Sequence, residues 1–315
     1  MGSMQALVWD GFDSEPAVRE VPVPEPAPGE VLVRVRAASI NAWDTFVANG
    51  AAKQFMTHEF PAVLGSDLSG TVEAVGGGVE GFAPGDRVFG GLGFKGSIHD
   101  GTFAELSTPV AGGIARTPEG LDDVSAGSLG VAGSTAVNAV DLVDPATGST
   151  VLVIGATGGV GSFAVQLAAI RGASVIATGL AGDEEFLRGL GASVTVDYAD
   201  DVAVQVRDRW PEGVDAVIDL VNRDHAAFAD MAGLVRAGGV AVSVVGGAGE
   251  ATAIGEARVA NVGGDAGQTG NLAELVVAGR VRVPVQRSYA LADAAKALRD
   301  FAQEHTVGKL VITIP

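Results

Sequence analysis

The rhythm of apolar and polar positions changes once along this chain, near Leu121. Before that point the apolar runs are short, alternate with polar residues and end on glycine or proline, which predicts strands. "MQALVWDGF" and "GEVLVRVRAASI" read this way, with Pro22, Pro24, Pro26 and Pro28 spacing a loop between them. "GTVEAVG", "GDRVFG" and "GTFAELST" follow, and one helix interrupts the set at "NAWDTFVANG", with Asn41 as its N-cap. From "LDDVSAGSLGVAGSTAVNAVDLV", which reads as helix, apolar strands alternate with helices. The strands are "TVLVIG", "ASVIATG", "ASVTVDY", "GVDAVIDLV" and "GGVAVSVVG", and "GSFAVQLAAIRG" and "DEEFLRGLG" are helical stretches among them. Continuous apolar strands joined by helices predict a doubly wound parallel sheet buried on both faces, hence an α/β fold. After Asn261 a helix ("NLAELVVAG"), a strand ("VRVPVQ"), a helix ("LADAAKALRDFAQ") and a last strand ("GKLVITIP") are expected.

The stretch "VLVIGATGGVG", Val151 to Gly161, joins the first strand of the alternating region to its helix. Read as G-x-G-x-x-G it has Ala156, Gly158 and Gly161 in the glycine slots. In this context, backbone N–H groups and the positive end of the helix dipole would face a pyrophosphate. A tight turn without a ligand is the competing explanation. An acid that grips a ribose hydroxyl should stand about 20 residues on, at the end of the second strand. None occurs at Thr178 or Gly179, which favours NADPH over NADH, although Asp183, Glu184 and Glu185 follow closely. Those acids also suit a helix first turn on their own account. Arg188 and Lys309 are the basic candidates for a 2′-phosphate.

Composition narrows the function. The 315 residues hold no cysteine, which removes disulfides, thiolate nucleophiles and cysteine-ligated zinc. Net charge is −18, from 38 acidic and 20 basic residues, and such a surface repels nucleic acid. Val151 to Ile170 runs uncharged for the length of a bilayer span, but its glycines and Gln166 suit a buried strand, turn and helix better. No secretory leader is read at the N-terminus. A cytoplasmic protein with neither membrane nor nucleic-acid partner is expected.

Three further segments, "FPAVLGSDLSGTVEAVGGGVEGFAPGDRVFG", "GSTAVNAVDLV" with the glycine run, and "GKLVITIP", resemble the zinc-independent quinone oxidoreductase branch of the medium-chain dehydrogenase/reductase superfamily. The resemblance covers nearly the whole chain. It implies a GroES-like β-barrel catalytic domain made by both ends of the chain (1–122 and 265–315), a Rossmann domain at 123–264, and a homodimer. In "LGSDLSG", Ser66 and Asp67 stand where zinc-dependent members carry histidine and glutamate, so no zinc is expected. The resemblance implies Thr135, Thr157, Gly158, Gly159 and Val160 around the phosphates and Tyr198 towards the adenosine; Thr178 and Gly179, at the end of the second strand, are cofactor candidates by their spacing. It adds Asn222 and Gly246 at strand ends, and Lys309 either reaching the cofactor from the final strand or standing as a solvated charge.

On the substrate side the resemblance implies the segment "ASINAWDTFVANG". Asn41 would donate to a substrate carbonyl, or cap its helix, and Asp44 would relay a proton. Phe46 stands where many relatives carry tyrosine, and with Ser66 it is a candidate substrate contact. None of the four histidines falls in a motif, and each is expected to be structural or solvated. Gly90 to Gly101 is read as a mobile flap or a plain surface loop. The expected activity is NADPH-dependent hydride transfer to a quinone or α,β-unsaturated carbonyl. An enoyl-thioester reductase and a non-catalytic NADPH-binding protein are the alternatives.

Overall fold

The computed structural model describes residues 2–264 and 269–315, and the expected domain boundary at 264/265 borders residues that lie outside this description. The chain divides into two compact units. The first comprises the described parts of Met1–Ser134, Asp265–Gly279 and Val283–Pro315, and the second Thr135–Gly264 with Arg280–Arg282. The helix Gly130–Val143 carries the chain from one to the other. No helix among the described residues is long and apolar enough to cross a membrane.

The first unit is mainly β. Its largest sheet orders the strands Ile114–Arg116, Arg87–Gly91, Asp67–Val75, Val31–Ser39, Lys309–Thr313 and Val285–Ala290, with Leu106–Ser107 also pairing on Val31–Ser39. The final strand lies antiparallel to Val31–Ser39, Val311 opposite Ser39 and Thr313 opposite Ala37, so both ends of the chain build one sheet. Alternate residues Val31, Val33 and Val35 point inwards and pack with Leu7, Trp9, Leu68, Phe103, Leu310 and Ile312. This is the period-two burial that the sequence rhythm predicts. A second, three-stranded sheet pairs Ser3–Trp9 with Ala17–Pro22 and Ala62–Val63. Ala17–Pro22 was missed by the sequence pattern because it is an edge strand with no buried position. The strand expected at "VRVPVQ" forms later, at Val285–Ala290. Pro284 has no N–H to give to a ladder, and only its carbonyl joins the pairing, accepting from Lys309 N.

The second unit is the doubly wound sheet. Its strand order is Val194–Asp197, Ser174–Gly179, Thr150–Ile154, Val214–Asp219, Val235–Ser243, Ala257–Asn261 and Ala253–Ile254. The first six run parallel and the last is an antiparallel edge. Numbered along the chain the parallel strands follow the order 3-2-1-4-5-6, so the winding reverses beside Thr150–Ile154, where open α/β sheets bind ligands. Ala257–Asn261 and its edge partner were not read from the sequence.

The turn after Thr150–Ile154 depends on glycine at two points for reasons internal to the fold. Gly155 has φ +80°, a conformation that side chains disfavour. At Gly161 a Cβ would run into the Gly155 carbonyl oxygen and sit 2.6 Å from Ala156 Cα. The helix Gly159–Ile170 thereby packs close against its strand. Gly161→Ala should therefore destabilise the protein by about 1–3 kcal/mol through overpacking, read as a lower urea midpoint at unchanged m-value.

Candidate functional site

In the second unit the candidate residues gather at the carboxyl ends of the strands. Gly155 N–H donates to Thr178 Oγ1 at 2.9 Å, and Thr178 is buried, so this threonine braces the glycine turn from behind. Thr157 is buried, while Gly158, Gly159 and Val160 are half-buried at the start of the 12-residue helix Gly159–Ile170. Gly158 is its N-cap at φ −70° and ψ 178°, and no side chain caps the helix. Those angles suit any residue, and a Cβ there would meet only the Gly155 carbonyl oxygen, at 3.6 Å. The fold therefore does not require glycine at 158. The helix end, with its unpaired N–H groups and positive dipole, keeps an open approach that fits a pyrophosphate.

The other strand ends are organised by residues the sequence reading missed. Asp219, fully buried, accepts from Val221 N, Asn222 N and Asn222 Nδ2, and so fixes Asn222. Ser243 Oγ accepts from Gly247 N at 2.9 Å and shapes the turn around Gly246, whose φ is +87° and whose Cβ position is empty. Tyr198 is exposed, and its phenol pKa is raised by partial burial and by the carboxylates of Asp183 and Asp197. Asp183 is buried and its Oδ2 accepts from Leu180 N. Arg188 pairs with Glu184 one helical turn away. Thr135 is buried in the helix Gly130–Val143.

In the first unit Asn41, Asp44, Asp67 and Lys309 form one buried polar cluster with Ser39, and the half-buried Ser66 joins it. Lys309, 2% exposed, donates from Nζ to Asn41 Oδ1 at 2.7 Å and Ile40 O at 3.0 Å, and lies 3.8 Å from Asp67 Oδ2. This overturns its reading as a solvated charge, and its bonds within the first unit occupy the amine expected at the cofactor. The Asn41 amide is also consumed, since Nδ2 donates to Asp67 Oδ2 at 2.9 Å and its oxygen takes Lys309. Asn41 caps its helix by position, but its side chain braces the cluster and is not free to donate to a carbonyl. The link within the helix start comes from Asp44, whose Oδ2 accepts from Asn41 N at 2.7 Å.

Two carboxyls share this buried space with one ammonium. Asp67 receives Ser39 Oγ at 2.6 Å, Asn41 Nδ2 and Val131 N at 2.6 Å besides the nearby Lys309. Among the described residues Asp44 receives only Asn41 N and, at 2.6 Å, Ser66 Oγ. Burial raises the Asp44 pKa to about 7, reinforced by the charge of Asp67 and opposed by the two hydrogen bonds and Lys309. Burial also lowers the Lys309 pKa, which Asp67 and Asp44 oppose. Asp44 therefore holds a proton below about pH 7 and loses it above. Phe46 is half-buried and stacks between Trp43 and Phe55. Among the described residues no cluster of histidine or acid suits a metal ion. Lys95, within Gly90 to Gly101, pairs with Asp100 inside that segment and ties it to Glu30 and Thr108, and three histidines bond backbone carbonyls (His58, His99 and His225).

Residues 27–119 match the alcohol dehydrogenase GroES-like domain, and residues 190–312 match the zinc-binding dehydrogenase family. The chain is 34% identical over 230 residues to a chloroplast envelope quinone oxidoreductase homolog of Arabidopsis thaliana, covering 70% of this chain and 68% of that one. The structure of the quinone oxidoreductase from Coxiella burnetii superposes with a TM-score of 0.87 at 28% identity over 100% of both chains. This chain belongs to the quinone oxidoreductase branch of the medium-chain dehydrogenase/reductase superfamily. It is also 33% identical over 314 residues to erythronolide synthase EryA2 of Saccharopolyspora erythraea, covering 92% of this chain and 8% of that one. The superfamily comprises oxidoreductases that bind a nicotinamide cofactor, and the open helix start at Gly158 fits that group.

In this oxidoreductase the buried charges should be tightly coupled. Lys309→Met leaves Asp67 buried without its counter-ion and should cost about 3–5 kcal/mol by urea denaturation. Adding Asp67→Asn, which removes the stranded charge, should recover part of that loss.

Proposed function

We propose that this oxidoreductase is an NADPH-dependent, zinc-free reductase of quinones or related α,β-unsaturated carbonyls, acting as a homodimer. The observation that carries the reading is Gly158, a glycine that neither its backbone angles nor its packing demands, at the start of an uncapped helix. Close approach of a phosphate is the remaining reason for a bare backbone there. Gly159 and Val160 would hold the pyrophosphate by their N–H groups, and Gly158, whose own N–H goes to Gly155 O at 3.2 Å, would leave room for its approach. Asn222 and Gly246 would lie along the dinucleotide and Tyr198 beside the adenosine. Preference for NADPH rests on the absence of a free carboxylate at Thr178 and Gly179. The nearest buried acid, Asp183, is engaged with Leu180 N–H.

The bound dinucleotide supplies hydride, and the protein orients it and manages the accompanying proton. Asp44 is the residue suited to hold that proton, because burial keeps its carboxyl neutral up to about pH 7. Without a zinc ion, polarisation of the acceptor falls to hydrogen bonding from this chain.

A second reading, enoyl-thioester reduction, draws support from the match to a segment of erythronolide synthase EryA2. Parallel turnover of quinones, enones and a crotonyl thioester separates the two. Calorimetric titration should show tighter binding of NADPH than of NADH, followed by acceptor-dependent loss of nicotinamide absorbance. Gly158→Leu should leave the urea midpoint little changed while NADPH affinity falls by a factor on the order of ten or more. Retained affinity in that variant would refute the cradle, and binding without oxidation of any acceptor would favour a non-catalytic role.

A further inference from the structure

We propose that Ser66 and Asp44 form a proton relay in which the Ser66 hydroxyl touches the acceptor and Asp44 resupplies it; this rests on the reductase reading above. The geometry leaves the Asp44 carboxyl one outlet. Its Oδ2 is held inwards by Asn41 N–H, while its Oδ1 meets the hydroxyl of Ser66, which is half-buried where Asp44 is 2% exposed. Asp67 cannot serve the same purpose, because it is fully buried and its one hydroxyl partner, Ser39, is fully buried as well.

The serine is placed by its backbone. Gly65 turns the chain at φ +107°, and a Cβ there would sit 2.7 Å from both the Phe103 ring and its backbone nitrogen. On the other side Ser66 O accepts from Leu92 N at 2.7 Å. Ser66 is thus fixed between a corner that requires glycine and the strand Asp67–Val75. A helix cap alone would need only Asp44 Oδ2, so the second oxygen and its hydroxyl partner are left for another use.

The step balances without a further reactant. The reduced dinucleotide, when bound, would supply the two electrons as hydride. The Ser66 O–H bond breaks as an O–H bond forms on the reduced acceptor. The Asp44 O–H bond breaks as the Ser66 hydroxyl is restored, and the resulting carboxylate recovers a proton from water through Ser66. The charged groups that face Asp44 act in opposite senses, Asp67 from Asp67–Val75 favouring the neutral acid and Lys309 from the last strand favouring the carboxylate, and burial outweighs both. Since the folded-state pKa is raised, the acid is present at low pH and lost as pH rises through about 7.

The test combines kinetics with NADPH and either a naphthoquinone or cyclohexenone, and carboxyl NMR of the unliganded protein labelled at aspartate. In the wild type kcat should fall as pH rises through about 7, where the Asp44 resonance titrates. Ser66→Ala should lower kcat on the order of a hundredfold with NADPH affinity unchanged, and Ser66→Thr, which keeps the hydroxyl, should restore most of it. Ser66→Ala should also move the Asp44 titration to higher pH, because the lost hydrogen bond favoured the carboxylate. A Ser66→Ala enzyme with wild-type kcat and pH profile overturns the relay alone and leaves the reductase intact. An Asp44 that titrates in the ordinary carboxylate range also overturns it. If the wild type binds NADPH and reduces no acceptor, the reductase reading fails and the relay with it.

Discussion

Burial of the Lys309 ammonium is the constraint on which the first unit's candidate site depends. An amine held out of water must find acceptors, and it takes the Asn41 amide oxygen, the Ile40 carbonyl and the nearby Asp67 carboxylate. Those contacts determine what remains. Asn41 is turned into a brace, and Asp67 takes three donors beside the ammonium. Asp44, with fewer donors in the same buried space, becomes the carboxyl that keeps a proton. The chemical roles in this cluster are thus divided by the supply of hydrogen-bond donors as much as by residue type.

The contacts also depend on topology. The last strand lies beside Val31–Ser39, and only that pairing brings a residue near the end of the chain to Asn41 at the start of the helix Ala42–Ala48. A change in the pairing register would turn alternate side chains to the other face and remove the ammonium from the cluster. Stability of the barrel and composition of the site are therefore linked through one strand.

The glycine run illustrates how one motif can mix unlike physical demands. Gly155 answers to backbone conformation and Gly161 to close packing of helix on strand, and both are requirements of the fold. Gly158 answers to neither, which separates a ligand argument from a folding argument within seven residues. Thr178, a cofactor candidate by its spacing, supplies the buried hydroxyl that receives Gly155 N–H.

The sequence by itself determined the change from alternating strands to a doubly wound sheet and the glycine turn at its first strand. These are local signals: burial period, turn chemistry and motif spacing all act within a few residues. It could not indicate that Lys309 is buried, that Asn41 has no free amide, or that Asp219 and Ser243 shape the strand ends. Burial and partner choice arise from residues far apart along the chain, as with Lys309 and Asn41, separated by 268 positions. A carboxyl or an amine has the same letter whether it is solvated or enclosed, and only the tertiary structure decides which groups share a space that excludes water.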